Sequence, residues 1–436
     1  MLSNVFFFIN NVVILAKLTA IFWCETIKYI CKINTFDKCI DNIIQLSIKQ
    51  NILFVKVIQA LSSEKSLSDT VITVLKKNTH SVGYEQEELN DSLIEMIKNK
   101  YAITLYEDKP FHSGMVSVAY KGELRDGQKV VIKILRKNIK SRIRQGSENI
   151  AFLYYVLSWF SIIIHDIEFK DKLEILKSII NTTEYLVGQC NFDNEIMAIN
   201  TSILEKNKTD ICKNIIIPKV FNNEEDICNT KFIILEFLDG KFPVDIKDID
   251  KREQYLKMFI LFSFMQMYYF TYLHSDLHNG NIICMEDEAG NLKLGIIDYG
   301  MNIKVTKEIK RALIYFSEQI FSNSPKLKNL SSHIDSFIIN KINMNEISLE
   351  NIDKTNVLMY ELFKSIKSGI LNEAVLHKVF GDIAILLNLK QFELNMDFIL
   401  ILLSLSMMQG CINYLSNYDK KISEKIFTEV YLEIME

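Results

Sequence analysis

The chain has 436 residues, of which 49% are hydrophobic and 24% are charged. This composition excludes an intrinsically disordered protein, and the length is enough for two or three structural units. The formal net charge is −4, from 50 basic and 54 acidic side chains, so no broad positive field favours a nucleic acid partner. The eight cysteines form no CxxC pair, which predicts reduced thiols in an intracellular, reducing compartment.

The first 100 residues carry apolar side chains at helical spacing and predict a helical extension. Within it, Val5–Trp23 is nearly long enough to span a bilayer, but it contains Asn10, Asn11 and Lys17. Polar residues at mid-membrane are costly, so we interpret this stretch as a core or interfacial helix rather than a span. The first arginine is Arg125, so this region lacks the Arg-rich pattern of a clear transit peptide.

A β-rich segment follows at residues 115–135. Two β-branched or alternating runs, MVSVAYKGEL and QKVVIKIL, flank Arg125-Asp126-Gly127, and an Asp-Gly pair between such runs predicts a hairpin. Residues 150–207 return to helical spacing. Ile215–Val220 and Lys231–Phe237 are typical of strands.

The rest of the chain is predicted to be mainly helical. Met258–Leu273 predicts a long apolar helix, and Ile282–Cys284 with Leu292–Ile297 predicts a second hairpin. Everything after Lys307 has helical character, including a buried helix at Phe398–Met408. We therefore expect an α+β fold with two lobes and a nucleotide between them.

Three parts are expected along the chain. They are a helical extension over residues 1–100, a nucleotide-binding lobe over residues 101–240 with a helical insertion at about 140–190, and a helical lobe over residues 241–436 that carries the catalytic and metal-binding turns.

The most specific motif is HSDLHNGN at residues 274–281, followed by Asp298-Tyr299-Gly300. Phosphoryl transfer needs a carboxylate beside the acceptor and oxygen ligands for Mg²⁺. A kinase catalytic loop supplies them as HxDx₄N with a second Asp in a DFG-like turn. We predict that Asp276 orients or deprotonates the acceptor, and that Asn281 and Asp298 bind Mg²⁺.

The nucleotide side of the site is predicted from three further residues. Lys133 lies in VVIKIL and matches the lysine that grips the α- and β-phosphates of a kinase nucleotide. Glu195, on a predicted helix, is its expected ion-pair partner. Glu236 ends a strand before a polar turn, as an adenine-binding hinge does, where backbone groups make the contacts. ATP and Mg²⁺ are the predicted cofactors.

Together these segments resemble the UbiB family, also called the aarF-domain atypical kinases. The resemblance rests on segments that occur in the family's order: Lys56-Val57-Ile58-Gln59 for its KxGQ, Pro110–Lys121 with Val131–Ile134 for its nucleotide lobe, Phe192-x-x-Glu195, Ile233–Gly240 for its hinge, the HSDLHNGN and IIDYGM segments, and Phe398–Leu415 for its last core helix.

The resemblance implies a protein-kinase-like fold wrapped by family-specific helices. It implies nucleotide contacts from Ser113, Gly114, Lys56 and Gln59. It also implies ATPase, small-molecule kinase or lipid kinase activity linked to coenzyme Q (ubiquinone) or isoprenoid lipid metabolism, with membrane association and a mitochondrial location.

Three departures from the family pattern concern nucleotide and metal preference. The KxGQ glycine is Ile58, the ExD pair is Gln189-Cys190-Asn191, and the Ala-rich loop is His112-Ser113-Gly114-Met115. Lys56 and Gln59, three residues apart, share one helical face. We expect that face to cover the active site as a lid that excludes bulky protein substrates.

Two other functions stay open. An aminoglycoside- or choline-type small-molecule kinase also uses HxDxHxxN, although the KVIQ segment and the insertion between Lys133 and Glu195 argue against it. An ATP-dependent, non-catalytic lipid-binding scaffold is the second. A conventional protein kinase is disfavoured, because a helix is predicted near Thr306, directly after the Asp-Tyr-Gly turn, and no Ala-Pro-Glu follows.

Overall fold

A computed structural model of the chain describes residues 2–61, 68–80, 82–164, 173, 176–177, 179–228, 230–307, 309–311, 313–314, 349–368, 379, 382–383 and 396–435. The chain divides into two compact units, Met1–Cys190 and Asn191–Glu436. The three-part organisation predicted from the sequence places its boundaries elsewhere and stays a prediction.

The first unit is helical at both ends. Its helices are α1 (Leu2–Ile30), α2 (Phe36–Gln50), α3 (Phe54–Leu61), α4 (Asp69–His80), α5 (Asp91–Tyr101), α6 (Ile139–Ile164) and α7 (Thr183–Gly188). The predicted helical character of the first 100 residues is confirmed for the part that the structure describes. Helix α2 shows why, since Thr35 caps its start and Cys39, Ile44 and Ile48 are buried along one face.

Asn51 fixes the start of α3 against α6. Its Nδ2 donates to the carbonyl of Gly146 at 2.8 Å, and its Oδ1 accepts from the Leu53 N–H at 3.0 Å. A Cβ at Gly146 would lie 2.4 Å from Asn51 Oδ1, so the close approach requires glycine at this point of α6.

The strands of the first unit lie between α5 and α6. They are β1 (Thr104–Leu105), β2 (His112–Ser113), β3 (Ser117–Glu123) and β4 (Lys129–Leu135). Strand β3 pairs antiparallel with β1, β2 and β4. Gly127, with φ +85°, makes the turn into β4 and donates its N–H to Leu124 O at 3.0 Å. The hairpin predicted from Asp126-Gly127 is therefore confirmed.

The second unit combines small sheets with long helices. Its helices are α8 (Asp193–Lys206), α9 (Ile249–Tyr268), α10 (Leu349–Lys367), α11 (Met396–Leu415) and α12 (Lys420–Met435), and its strands are β5 (Ile215–Ile216), β6 (Phe232–Glu236), β7 (Tyr272–His274), β8 (Ile282–Glu286), β9 (Leu292–Ile296) and β10 (Asn302–Lys304). Strand β9 pairs with β8 antiparallel and with β5 in parallel, while β7 pairs with β10. The predicted β8–β9 hairpin is confirmed.

The helix predicted at Met258–Leu273 is wrong at both ends. Helix α9 begins at Ile249 because Asp248 caps it, accepting the Lys251 N–H at 3.1 Å. It ends at Tyr268, and Leu273 belongs to β7, where its side chain is fully buried. The apolar run crosses the helix end because helix and strand both face the core, so hydrophobicity alone does not mark the boundary.

Two further sequence predictions concern a strand at Ile215–Val220 and a buried helix at Phe398–Met408. The strand predicted at Ile215–Val220 is interrupted: Ile215–Ile216 pairs with β9, and Val220 forms an isolated bridge with Leu235 of β6. Pro218, which lies between them, has no N–H to donate. The buried helix predicted at Phe398–Met408 is confirmed as part of α11. Helical character was predicted for everything after Lys307, and much of that region lies outside the described residues.

Among the described residues, no single helix combines the length and the hydropathy that a membrane crossing needs. One bent pair, Ile399–Leu415 with Lys420–Ile434 at 113°, meets the requirement by length and composition.

Candidate active site

The HSDLHNGN segment forms a loop that starts at the end of β7. The pairing of His274 with Asn302 and a hydrogen bond from Ser275 N–H to Met301 O, 3.0 Å, join the loop to the segment after the Asp-Tyr-Gly turn. Toward its end, Gly280 N–H donates to Nδ1 of His278 at 2.9 Å. A Cβ at Gly280 would lie 2.8 Å from His278 Cε1, so a larger residue here would require the His278 ring to shift.

Asp276 lies at the rim of this loop. Its side chain is 25% exposed, and its Oδ2 lies 3.7 Å from Nε2 of His278. Its backbone carbonyl accepts from Nδ2 of Asn281 at 2.8 Å and from the His278 N–H at 2.9 Å. The carboxylate is thus held by its backbone while remaining accessible, as a group that receives a proton from an acceptor must be.

His274 connects the two segments that carry the predicted catalytic and metal-binding residues. Its Nδ1 accepts the Asp276 N–H at 3.3 Å, and its Nε2 lies 3.0 Å from the Ile297 carbonyl. A carbonyl can only accept, so the proton is on Nε2 and the ring is neutral. Burial lowers the pKa of His274, outweighing the opposite effects of the Ile297 carbonyl, Asp276 and Asp298. The sequence prediction gave this histidine no role of its own, although the first position of the HxD motif marked it.

The predicted metal ligands lie at one end of the β8–β9 hairpin. Asn281 directly precedes β8, and its carbonyl accepts the Ile297 N–H at 3.0 Å, which brings it beside the residue before Asp298. The Nδ2 of Asn281 is engaged by Asp276 O, which directs the amide Oδ1 elsewhere. One amide and one carboxylate oxygen fit Mg²⁺ bound together with nucleotide phosphates.

Asp298 has a strained backbone. Its φ is +63°, in the left-handed region where non-glycine residues are uncommon, although Asp tolerates it better than most. Strain of this kind persists where the surroundings hold it in place, and it concentrates at functional sites.

Gly300 brings Asp298 and Glu195 together. A Cβ at Gly300 would lie 3.2 Å from Oδ1 of Asp298 and 3.5 Å from Oε2 of Glu195. Glu195 is only 3% exposed in the first turn of α8. The start of α8 is anchored to Thr230, whose N–H donates to Asp193 Oδ1 at 3.0 Å. The structure thus groups Glu195 with Asp298 around the Asp-Tyr-Gly turn.

Tyr299, the middle residue of this turn, is buried against His274. The two ring centroids are 4.9 Å apart, and Tyr299 is 1% exposed. Burial raises the pKa of Tyr299, and Ser202 of α8 acts in the opposite direction. In kinases the packing of the residue at this position governs the active arrangement. Here the ring joins the middle of the turn to the predicted catalytic loop through His274.

The predicted hinge packs directly on the catalytic hairpin. Glu236 ends β6, and its carboxylate accepts the Lys219 N–H at 3.2 Å. Lys241 and Cys284 exchange backbone hydrogen bonds of 2.9 and 2.7 Å. A Cβ at Gly240 would lie 2.7 Å from the Cys284 carbonyl, so glycine allows this approach.

The remaining predicted residues belong to the first unit. Lys133 lies on β4 opposite Ala119 and is half-buried. Ser113 is buried, and Gly114 N–H donates to Ser117 O at 2.9 Å. Lys56 is half-buried on α3, whereas the side chain of Gln59 lies outside the described residues. The Lys133–Glu195 ion pair and the lid stay predictions.

The two amides that replace the family's ExD carboxylates have different surroundings. Asn191 donates through Nδ2 to Asp193 Oδ2 at 3.1 Å and accepts the Asp193 N–H at 3.1 Å. The Nε2 of Gln189 is buried without a hydrogen-bond partner in the part of the chain that the structure describes. The buried helix residue Ile58, 5% exposed, replaces the KxGQ glycine.

Comparison with known proteins identifies the family. The family model of the ABC1 atypical kinase-like domain matches residues 55–329, more than half of the chain. The chain is 28% identical over 206 residues to the uncharacterized protein slr0889 of Synechocystis sp., covering 45% of this chain and 47% of that protein. It is 25% identical over 237 residues to the "Probable protein kinase UbiB" of Sodalis glossinidius, covering 53% and 41%. The matches span less than half the length of each relative.

Two solved structures are similar over much of the chain. One is an Rv3197–erythromycin complex from Mycobacterium tuberculosis, with 13% identity, a TM-score of 0.42 and coverage of 84% of this chain and 90% of that chain. The other is a Rio2 kinase–ADP/Mg²⁺–phosphoaspartate complex from Chaetomium thermophilum, with 10% identity, a TM-score of 0.28 and coverage of 64% and 85%. The family match confirms the predicted resemblance and the α+β protein-kinase-like fold class.

His274→Gln is expected to remove one source of acid sensitivity. The folded-state pKa of His274 lies below its ordinary 6.5, so between the two values the unfolded chain binds more protons. Stability from neutral His274 is then fully present above about pH 6.5 and falls by about 1.4 kcal/mol per pH unit below it. Urea unfolding of both proteins from about pH 7.5 to 5.5 should show the gap between them narrowing as pH falls. A gap that is constant with pH contradicts a neutral, buried His274.

Gly300→Ala is expected to weaken Mg²⁺-dependent ATP binding about tenfold, because the added Cβ would lie 3.2 Å from Oδ1 of Asp298 and shift that carboxylate. The free energy of unfolding should change by less than about 1 kcal/mol. Gly188→Ala is the matched control, since a Cβ there meets nothing within 4 Å. Isothermal titration calorimetry measures both variants, and equal affinities would show that Gly300 does not shape the site.

Proposed function

Because the chain belongs to the ABC1 atypical kinase-like family, we propose that it binds Mg²⁺-ATP and acts as an ATPase or as a phosphotransferase toward a small molecule or lipid. One observation carries the proposal: an accessible Asp276 carboxylate lies in the loop whose last residue, Asn281, is bonded to the segment that presents Asp298. This is the set that phosphoryl transfer requires.

The chain's own residues have separate roles in this proposal. Asp276 orients the acceptor hydroxyl or water and takes its proton. Asn281 and Asp298 would hold Mg²⁺ through oxygen atoms, and Lys133, with Glu195 orienting it, would hold the α- and β-phosphates. Bound Mg²⁺-ATP would supply the phosphoryl group and the charge that neutralises it.

A small or lipid acceptor is favoured over a protein. Strand β10 begins at Asn302, two residues after Gly300, and Thr306 then accepts the Ile309 N–H at 3.3 Å at the start of a helical turn. In the described residues directly after the Asp-Tyr-Gly turn, 301–307 and 309–311, there is no loop of the kind on which protein kinases place peptides. The resemblance to the UbiB family implies a link to coenzyme Q or isoprenoid lipid metabolism, which we include in the proposal.

We also propose that α1 contacts a lipid bilayer surface. Two polar residues of α1 are buried: Asn11 accepts from Asn149 of α6 at 2.7 Å, and the 2%-exposed Glu25 binds Lys28. Its outer face is apolar, with exposed side chains that recur at helical spacing, namely Ile9, Val12, Val13, Trp23, Ile27 and Ile30. An exposed apolar face of this kind marks a contact surface, and it favours the interfacial-helix interpretation of Val5–Trp23.

The charged residues beside this apolar face of α1 indicate which partner it binds. Lys17 and Lys32 are exposed near it, while the one acidic residue of α1, Glu25, is buried. A stripe from Ile9 to Ile30 is roughly 32 Å long at the helical rise. An apolar stripe with flanking lysines and an exposed Trp fits an anionic bilayer surface. Two copies meeting through this face would bring like charges together.

Mg²⁺-ATP at about 100 times its Kd should raise the free energy of unfolding by about 2.7 kcal/mol. The Asp298→Asn variant should lose the Mg²⁺-dependent part of this rise, since Asn tolerates the same backbone conformation. The Asp276→Asn variant should keep that part of the rise and lose turnover about 10²- to 10⁴-fold. The exposed Asp250 gives the control Asp250→Asn, which should match the wild type. Absence of any thermal shift in the wild type refutes nucleotide binding. A shift without turnover supports a binding scaffold.

Trp23→Ser combined with Ile27→Ser should lower binding to vesicles of phosphatidylcholine and phosphatidylglycerol by about tenfold or more. The control is Leu204→Ser combined with Val244→Ser, two side chains that are each 66% exposed. Co-sedimentation measures binding. If the wild type does not bind vesicles and instead forms a dimer that depends on Trp23, the exposed face of α1 binds protein and the membrane proposal is wrong.

A further inference from the structure

Arg136 follows β4 directly and has a fully buried side chain. A buried guanidinium is costly unless its donors find acceptors. Burial lowers the pKa of Arg136, and the Glu88 carboxylate acts against this effect. The cost of burying this charge must be offset by the groups that the guanidinium binds.

One part of the guanidinium holds the loop that begins at β2. Its Nε and Nη2 donate to the Gly114 carbonyl at 3.1 and 2.7 Å. Nη2 also donates to the Ser113 hydroxyl at 2.7 Å. The Arg136 backbone adds a hydrogen bond from its N–H to Val116 O, 3.1 Å. The rigid guanidinium fork therefore fixes Ser113 and Gly114, for which the family resemblance implies nucleotide contacts.

The other part holds residues 82–88, the connector between α4 and α5. Nη2 donates to Val82 O and Nη1 to Gly83 O, each at 3.1 Å, and Nη1 also donates to the Glu88 carboxylate. The Val82 N–H in turn donates to Ser113 O at 2.9 Å. The connector and the loop thus share one arginine as well as a direct hydrogen bond.

We propose that Arg136 is a positioning residue for nucleotide binding, which holds Ser113 and Gly114 in their receiving conformation and makes that conformation depend on residues 82–88. The inference rests on the proposed Mg²⁺-ATP function. Lys133 lies on β4 three residues before Arg136, so one short segment carries both the predicted phosphate ligand and the support of the loop.

The same contacts give the helical extension a route to the loop. Helix α4 packs against α2 and α3, and it leads into the connector. A displacement of these helices would reach Ser113 through Val82, Gly83 and Glu88. Lys56 lies on α3, so the helix predicted to act as a lid is mechanically joined to the nucleotide loop.

The test uses Arg136→Lys, which keeps the charge and loses the fork, and Ser113→Ala, which removes one acceptor. Both should raise the Kd for Mg²⁺-ATP about tenfold and leave turnover at saturating nucleotide within about twofold. Arg142→Lys is the matched control, because Arg142 also pairs with Glu88, at 2.8 Å, from the start of α6. It should bind nucleotide as the wild type does.

The outcomes separate this inference from the proposed function. A wild type that does not bind Mg²⁺-ATP refutes the proposed function. Wild-type binding with unchanged Kd in Arg136→Lys and Ser113→Ala refutes the positioning role alone, and so does an equal loss in Arg142→Lys. If Arg136→Lys does not fold, Ser113→Ala decides through its Kd and hydrogen exchange at residues 110–117. Faster exchange with weaker binding is expected, and a folded variant with wild-type values overturns the inference.

Discussion

The site depends on a single neutral histidine. Only a His274 ring protonated at Nε2 can accept the Asp276 N–H and donate to the Ile297 carbonyl at the same time. Those two hydrogen bonds join Asp276, which would receive a proton, to Ile297, the residue before Asp298. A charged ring would lose its acceptor and leave Asp276 without this support, so burial of His274 is a condition for the geometry of the whole centre.

Buried polar groups from distant helices complete this support. Gln266 of α9 accepts the His274 N–H at 3.0 Å, Ser404 of α11 donates to the His274 carbonyl at 3.2 Å, and Cys411 donates to the Leu277 carbonyl at 3.4 Å. Because an unsatisfied buried carbonyl or N–H is costly, each partner strongly favours one loop conformation. Arg136 has the same function in the first unit, where one side chain satisfies several carbonyls.

Features whose residues lie at a fixed, short spacing along the chain could be predicted from the sequence. Asp126-Gly127 marked the β3–β4 hairpin, and the HSDLHNGN motif placed Asp276 and Asn281 correctly in one loop. It did not predict the partners Ser404 and His274, which lie 130 residues apart, because a long-range hydrogen bond leaves no local pattern. The end of α9 at Tyr268 was missed for a related reason, since burial of the following strand continues the apolar run.

The backbone conformation of Asp298 supports a functional role independently of the Asp-Tyr-Gly motif. A left-handed aspartate is strained, and it persists only if its neighbours hold both sides. They do: the Ile297 N–H is bonded to Asn281 O on one side, and Met301 O accepts the Ser275 N–H on the other. Main-chain hydrogen bonds therefore hold the segments on both sides of Asp298. The turn carries a charged side chain at this φ, close to Gly300 and Glu195, which fits the proposed role of Asp298 as a ligand of Mg²⁺ bound to phosphates.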